Sequence, residues 1–477
     1  MSAISTSCAV SALKRRIGGR ALGSARALRY GATMRGPVIQ EAPWREPAEV
    51  LAALGERPWT LGLLSAGEGA GWSYVASEPA DTLRLEAADP RDPMAALAVL
   101  AGPRAAVLDG GPPFQGGIAG LLSYELADRF EPLGLPRHDG WPDLACARYE
   151  ALLAFDHAGR RVLAIGRGAD PAQADEQTRT ARSWLDLPGR ASRACSTRLA
   201  ADSAAAYEAA VAQTVARIGA GEIFQANLAR RWTGRLPPGA DPADLMLALT
   251  ARSPAPFCAY LRLPDRAVVS NSPERFLQVR PDGEGFIAMT QPIKGTAPRG
   301  ATPDEDAALA SRLAASLKDR AENLMIVDLM RNDLSRVCTP GAVRTPELFR
   351  LASFANVHHL VSTVTGRLAP GAQALDLVRA AFPPGSITGA PKVQALKVIR
   401  ELEGARGPFF GAMLWLGADG ALDSNVLIRT VGLVRDAGGW RLEARAGAGL
   451  TADSDPAMER AETEAKIAAI RAALGDG

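Results

Sequence analysis

Between Pro43 and about Leu187 the apolar residues come in short runs cut by Gly, Pro and Asp. The runs are Trp59-Thr60-Leu61-Gly62-Leu63-Leu64, Ala105-Ala106-Val107-Leu108, Gly117-Ile118-Ala119-Gly120-Leu121-Leu122 and Ala151-Leu152-Leu153-Ala154-Phe155. Runs this short with such flanks predict strands joined by turns, and the Ala/Glu-rich stretch around 172–185 predicts a helix. The segment Pro188 to Ala201 breaks the pattern and reads as a boundary. Beyond it Tyr207, Val211, Val215 and Ile218 are spaced by fours and a three, with Ser203 placed to cap the helix they predict. Helices and strands then alternate irregularly, without a βαβ or fixed-period repeat. That pattern predicts an α+β chain with antiparallel sheets.

Two of the predicted helices are acidic on one side. In Lys318 to Asp333, Asp319 and Glu322 are three apart; in Met458 to Lys466, Glu459, Glu462 and Lys466 fall on one face at about 100° per residue. Each helix can offer carboxylates to a shared site. Hard oxygen ligands supplied one or two at a time suit Mg²⁺, and the alternative is a solvated face with i,i+4 ion pairs.

Composition narrows the function classes. Apolar residues make up 47% and charged residues 22% of the 477, ordinary for a globular chain long enough for two or three domains. A net charge of +2 gives no reason to invoke nucleic acid or an anionic membrane, and no apolar run reaches the roughly 18 residues of a transmembrane helix. The five cysteines are scattered, odd in number and free of CxxC spacing, so a reducing cytoplasm is expected and neither a disulfide framework nor a zinc site is. Residues 1–40 hold no acid but carry Lys14, Arg15, Arg16, Arg20, Arg26, Arg29 and Arg35. That composition is similar to a transit peptide, or to a non-native stretch upstream of Met34, and is set apart from the fold.

Several loops and strand ends can carry chemistry. Lys294 lies between Pro292 and Gly295, where a strand is expected to break into a turn that aims the side chain. Gly385-Ser386-Ile387-Thr388-Gly389-Ala390-Pro391-Lys392 offers N–H groups and hydroxyls ahead of a helix, a geometry that suits an anion, though it is not a Walker motif. Gly447 and Gly449 could bring backbone close to a carboxylate, and Arg429, after the strand-like Val426-Leu427-Ile428, is a surface charge or a bidentate carboxylate ligand. His358 and His359 should point to opposite faces of a strand. Glu274, in Ser-Pro-Glu-Arg-Phe, reads as a general acid/base or as part of a surface turn.

In order, SPERF, PIKGT, KDRAENLMIVDLMRNDL, NVHHLVST, PPGSITGAPKVQAL, LDSNVLIRT and AGAGLTADSDP resemble the chorismate-utilising enzyme family. That family includes anthranilate synthase component I, aminodeoxychorismate synthase component I and isochorismate synthases. The likeness is dense from about 203 to 470 and thinner from 43 to 187. It implies antiparallel sheets in a sandwich with surrounding helices, an N-terminal component I domain over 41–190 and a chorismate-binding catalytic domain over 191–477.

The lysine in PIKGT implies the aminodeoxychorismate synthase branch, since alanine is usual there in anthranilate synthases, the alternative. The implied reaction turns chorismate and ammonia into 4-amino-4-deoxychorismate, with Lys294 adding covalently at C2 as the C4 hydroxyl leaves. At an unperturbed pKa near 10.4 only about one lysine in 2500 is neutral at pH 7; a depression of about 2 units multiplies that population a hundredfold and costs about 2.7 kcal/mol. The resemblance further implies Glu274 as general acid/base, Glu322 and Glu462 as Mg²⁺ ligands with Glu459 nearby, and Arg429, Lys466, Thr388, Gly447 and Gly449 as binders of substrate carboxylates. His359 is implied near the C4 hydroxyl. Gln225 stands where isochorismate synthases place a water-activating lysine, which counts against water as nucleophile. No cysteine lies in a GxCxG elbow, so ammonia is expected from a separate glutaminase (component II) subunit or from free ammonium. Leu63-Leu64-Ser65-Ala66 departs from the family's Leu-Leu-Glu-Ser signature, so feedback by tryptophan is not expected.

Overall fold

The structure, a computed structural model, describes residues 36–476 except 68–69, 139 and 355–356. The basic stretch up to residue 35 therefore lies outside the described residues. The chain enters the fold before residue 41, because Val38–Ala42 is a strand paired antiparallel with Arg161–Gly166.

Two antiparallel sheets, of twelve and ten strands, form the frame, in keeping with the α+β expectation. Strand Leu61–Leu64 pairs with Phe257–Arg262 in the larger sheet, and Gly117–Leu122 pairs with Ala412–Gly417 in the smaller. Both sheets thus run across the expected boundary at residue 190. Leu61, Leu261 and Val268 of the larger sheet meet Leu121, Met413 and Trp415 of the smaller in an apolar layer between them.

Helices cover the outer faces. Leu51, Met246 and Ile470, from helices Pro47–Leu54, Pro242–Arg252 and Pro456–Ala473, pack on the larger sheet. Ile326, Met330 and Leu377, from Leu317–Ser335 and Ala374–Ala381, pack on the smaller. Each such buried side chain contributes about 1.5–3 kcal/mol, and the acidic helices owe their placement to these apolar stripes rather than to their carboxylates. No helix among the described residues is long and apolar enough to cross a membrane.

The expected helices form: Ser203 caps Ala204–Gly219 by accepting from the Ala206 N–H at 3.3 Å, and Pro171–Ser183 is helical. Two expected strands do not. Ala105–Leu108 pairs with no strand; its backbone meets Gln115, whose amide accepts from Leu108 N (2.7 Å) and donates to Leu108 O (2.9 Å), Arg167 on Ala106 O (2.8 Å), Ala418 O on Ala105 N (2.8 Å) and Gly111 N on Leu108 O (3.1 Å). Val426–Arg429 is instead the link by which the chain leaves Leu422–Asn425 of the smaller sheet for Thr430–Asp436 of the larger. Glu274 occupies the reverse crossing, between Arg266–Ser272 and Arg275–Pro281. The crossings run side by side, joined by Val426 N to Glu274 O (3.1 Å) and Asn271 N to Arg429 O (3.0 Å).

Candidate active site

One wall is built by strands Gln225–Arg235 and Gly439–Leu450, which place Asn227 opposite Gly449 and Ala229 opposite Gly447. Strand alternation puts Gln225, Asn227, Gly447 and Gly449 on one face. The other face, with Ala226, Leu228, Ala448 and Leu450, is buried in a cluster that holds Val211 of helix Ala204–Gly219 and Val398 of helix Lys392–Leu402. Space explains the glycines. A Cβ on Gly449 would run into the Gln225 amide and stand 2.8 Å from Lys294 Nζ, and one on Gly447 would stand 2.6 Å from Asn227 Oδ1.

Lys294 lies in strand Ile293–Pro298, which pairs with Val357–Arg367. Its expected turn is a β-bulge: the register slips between Lys294 and Thr296, and Gly295 takes φ 80°, a left-handed conformation that favours glycine. Burial lowers the lysine's pKa; Glu322, Glu274 and Glu462 oppose that shift and Lys466 adds to it. Glu274 is only 5% exposed, so the surface-turn alternative falls. Its pKa is pushed up to about 7 by burial, against the Ser386 hydroxyl, Lys294, the Ile293 backbone and Lys466. The amine and the acid are thus moved toward each other on the pH scale, a pattern typical of acid–base sites.

The histidines split as expected. His358 is buried between Ser353 Oγ (2.8 Å) and Asp306 Oδ1 (2.9 Å), while His359 Nδ1 stands 3.0 Å from Thr296 Oγ1 and 3.3 Å from Gly295 O. Burial, then Arg429, push the pKa of His359 down to about 4, so its ring is neutral near pH 7.

The three glutamates approach from the two acidic helices. Glu322 is partly buried, 4.0 Å from Lys318, and its carboxyl is raised above the usual range by burial. Glu459 is buried, also raised by burial, and accepts from Ser454 Oγ at 2.7 Å. Glu462 is half exposed; burial works against its charge, but Lys466 Nζ at 2.6 Å, helped by Lys294 and Lys318, outweighs it and the pKa falls. Lys466 also donates to Gly447 O at 2.8 Å, which ties the Glu462 helix to the glycine strand. Glu322 and Glu459 each feel the charge of Glu462. Among the described residues no three of His, Cys, Asp and Glu close into a preformed metal cage. One or two carboxylates with open positions are nonetheless a donor set that fits Mg²⁺, which keeps several of its waters.

Segment 382–391 lies against this wall. Thr388 is fully buried, its hydroxyl facing Pro384 O and Gly385 O at 3.2 Å each, so that hydroxyl serves its own loop, while its carbonyl accepts from Asn227 N at 2.7 Å. Lys392 turns away to Asp333 Oδ2 and Ala381 O, both at 2.6 Å. Arg429 sits at φ 49° in the sheet crossing, its pKa lowered by burial.

Sequence reading missed Asn227 and Ser386, although Ser386 stands in the glycine loop it singled out and Asn227 two residues after Gln225. Strand alternation two residues after Gln225 could have found Asn227; nothing local marks Ser386, whose partner Glu274 lies far away in sequence. The Leu63-Leu64-Ser65 stretch lines a separate cavity of about 320 Å³ between the sheets, shared with Arg275 and Asp423.

Residues 62–472 match the model of a family described as chorismate binding enzyme. The chain is 44% identical over 363 residues to aminodeoxychorismate synthase component 1 of Klebsiella aerogenes, covering 74% of this chain and 76% of that protein. It is 37% identical to the Salmonella typhimurium protein of the same name, covering 90% and 97%. It is also 41% identical to anthranilate synthase component 1 of Streptomyces coelicolor, covering 86% and 82%. Among solved structures, anthranilate synthase component I from Streptococcus pneumoniae superposes with a TM-score of 0.75 at 27% identity, covering 84% of this chain and 92% of that one.

Proposed function

The chain belongs to the family of chorismate-binding enzymes, and from that premise we propose that it aminates chorismate at C4, giving 4-amino-4-deoxychorismate and water. The observation that carries this reading is Lys294, an amine made less basic by burial, beside Glu274, an acid held near pKa 7. In the proposed sequence the Lys294 amine forms a bond to C2, both ring double bonds shift by one place, and the C4–O bond breaks as Glu274 gives its proton to the leaving hydroxyl, which departs as water. Ammonia then forms a bond to C4, both double bonds return, and the C2–N bond to Lys294 breaks so that the lysine leaves as the neutral amine; the new C4 ammonium gives one proton back to Glu274. Lys466 and Arg429 supply positive charge for the substrate carboxylates, and neutral His359 serves the C4 hydroxyl. Glu322 and Glu462, with Glu459 behind them, would hold Mg²⁺, which when bound supplies positive charge beside a substrate carboxylate.

Ammonia would reach the site from a glutaminase subunit, as the component 1 designation of the similar proteins suggests a second component. The second reading is anthranilate formation, favoured by the similarity to anthranilate synthase component 1. Incubating the purified chain with chorismate, Mg²⁺ and ammonium, then identifying the product by mass and chromatography, separates the two. A 4-amino product supports the proposal and anthranilate overturns it. With glutamine as sole nitrogen source, no product is expected until a glutaminase subunit is added.

A further inference from the structure

Helix Leu317–Ser335 buries Asn323, Ile326, Val327, Met330, Asp333 and Leu334, the spacing of an apolar stripe with polar residues set into it. Burying an amide costs stability unless it is paired, so a fully buried asparagine in such a stripe calls for a cause. Asp333, toward the far end, is held by Lys392. Asn323 reaches the strand beside Lys294: its Nδ2 donates to Leu360 O at 3.2 Å, and its Oδ1 accepts from Ser362 Oγ at 2.5 Å. A carbonyl oxygen can only accept, which fixes the amide this way round. Gln225 Oε1 and His359 Nε2 are buried without a partner, whereas the Asn323 amide is paired on both sides and so serves the frame of the site.

Both contacts fall on the segment that holds the amine. Leu360 is the strand partner of Lys294, and Ser362 N donates at 3.2 Å to the carbonyl of Pro292, two residues before Lys294. The Ser362 hydroxyl, also fully buried, accepts from Phe349 N at 3.0 Å. Phe349 lies where strand Arg344–Ser353 changes register and takes φ 56°, a left-handed conformation that costs energy in any residue but glycine. Arg320, one turn before Asn323, covers the Phe349 ring at 4.8 Å. Apolar contacts are non-directional, so the stripe alone would let the helix slide or turn by fractions of an ångström; hydrogen bonds weaken steeply off line and do not. Glu322 directly precedes Asn323, and its carboxylate and the Lys294 amine each feel the other's charge.

We infer that Asn323 and Ser362 are positioning residues for the reaction: their buried hydrogen bond pins the helix that carries Glu322 to the strand pair that carries Lys294, and so sets where carboxylate and amine stand relative to each other. The inference rests on the roles proposed above for those two groups.

The test uses the full chain with Mg²⁺, saturating ammonium and varied chorismate, on Asn323→Leu, which completes the apolar stripe, on Ser362→Ala and on the double variant, with turnover expressed per folded molecule. Each single variant should lower kcat about tenfold, the effect of a displacement of about half an ångström, with the chorismate KM within about twofold of wild type. The KM should hold because Lys466 and Arg429 lie on other elements. The double variant should lose little more than either single one, because both break the same bond. Ile326→Val, one turn along the same stripe, should lower Tm slightly and leave kcat at the wild-type value. An unchanged kcat in either folded single variant would overturn the inference. So would losses that multiply in the double variant, or a kcat that falls in Ile326→Val as it does in the pin variants, which would make the pair merely structural. The wild-type product is a separate readout: anthranilate would overturn amination at C4 and leave the comparison readable, since total product is counted in every variant.

Discussion

Gly449→Ala probes the site through a single methyl group. Gly449 lies inside a strand and is not left-handed, so alanine fits the backbone and should add about 0.4–1 kcal/mol by restricting the unfolded chain. The new methyl would stand 2.8 Å from Lys294 Nζ, and ordinary contact begins at 3.4 Å, so the amine must retreat by at least 0.6 Å. The Gln225 amide must also move. Both are ends of flexible side chains, so the strain falls on the groups of the proposed site and not on the fold. A misplacement near 1 Å costs about a hundredfold in rate, or about 2.7 kcal/mol of barrier. The expected result is a Tm at or slightly above wild type with kcat/KM down about a hundredfold. Steady-state kinetics with chorismate and ammonium, beside thermal unfolding, measure both. Wild-type kcat/KM would refute the placement of Lys294 against this glycine, and a collapsed Tm would refute the claim that only side-chain ends must move. Gly447→Ala is the contrast, since its methyl would also stand 2.8 Å from the Leu228 backbone carbonyl and should cost stability as well.

Glu274 holds a proton in the folded chain that the unfolded chain has lost between about pH 4.5 and 7, so its contribution to stability falls as pH rises through that window, by up to about 3 kcal/mol. Glu274→Gln should therefore be inactive and gain Tm relative to wild type from pH 5 to pH 8; a constant Tm difference across that range would refute the raised pKa. Lys294→Ala should lose most 4-amino product and admit ammonia at C2, seen as a trace of anthranilate by chromatography; full 4-amino activity would rule out covalent catalysis by this lysine. Glu322→Gln and Glu462→Gln should abolish turnover with Tm close to wild type, as expected for carboxylates at the margin of the core, and chelator should silence wild type until Mg²⁺ is restored. Normal turnover in either variant at normal Mg²⁺ would remove that residue from the proposed metal site.

Local chemistry in the sequence was enough for much of the structure. The 3.6-residue period placed helix Ala204–Gly219 and both acidic helices, the serine cap placed Ser203, and period-two alternation sent His358 and His359 to opposite faces. These features depend on neighbours three or four residues away at most, so a linear reading reaches them. It failed where a distant partner decides. Ala105–Leu108 has a strand's composition, but its backbone is met by Gln115, Arg167 and the Ala418 carbonyl rather than by a strand. Glu274 could have been a surface turn until the crossing between the two sheets buried it, and that burial moves its pKa. Gly447 and Gly449 read as loop glycines, whereas they lie in a strand and are small because Asn227, Gln225 and Lys294 approach from elsewhere in the chain. Residue identity fixed which groups could titrate, accept or donate. Only the packing of the two sheets decided which were stripped of water and left without partners, because desolvation and close approach are properties of groups brought together from distant parts of the chain.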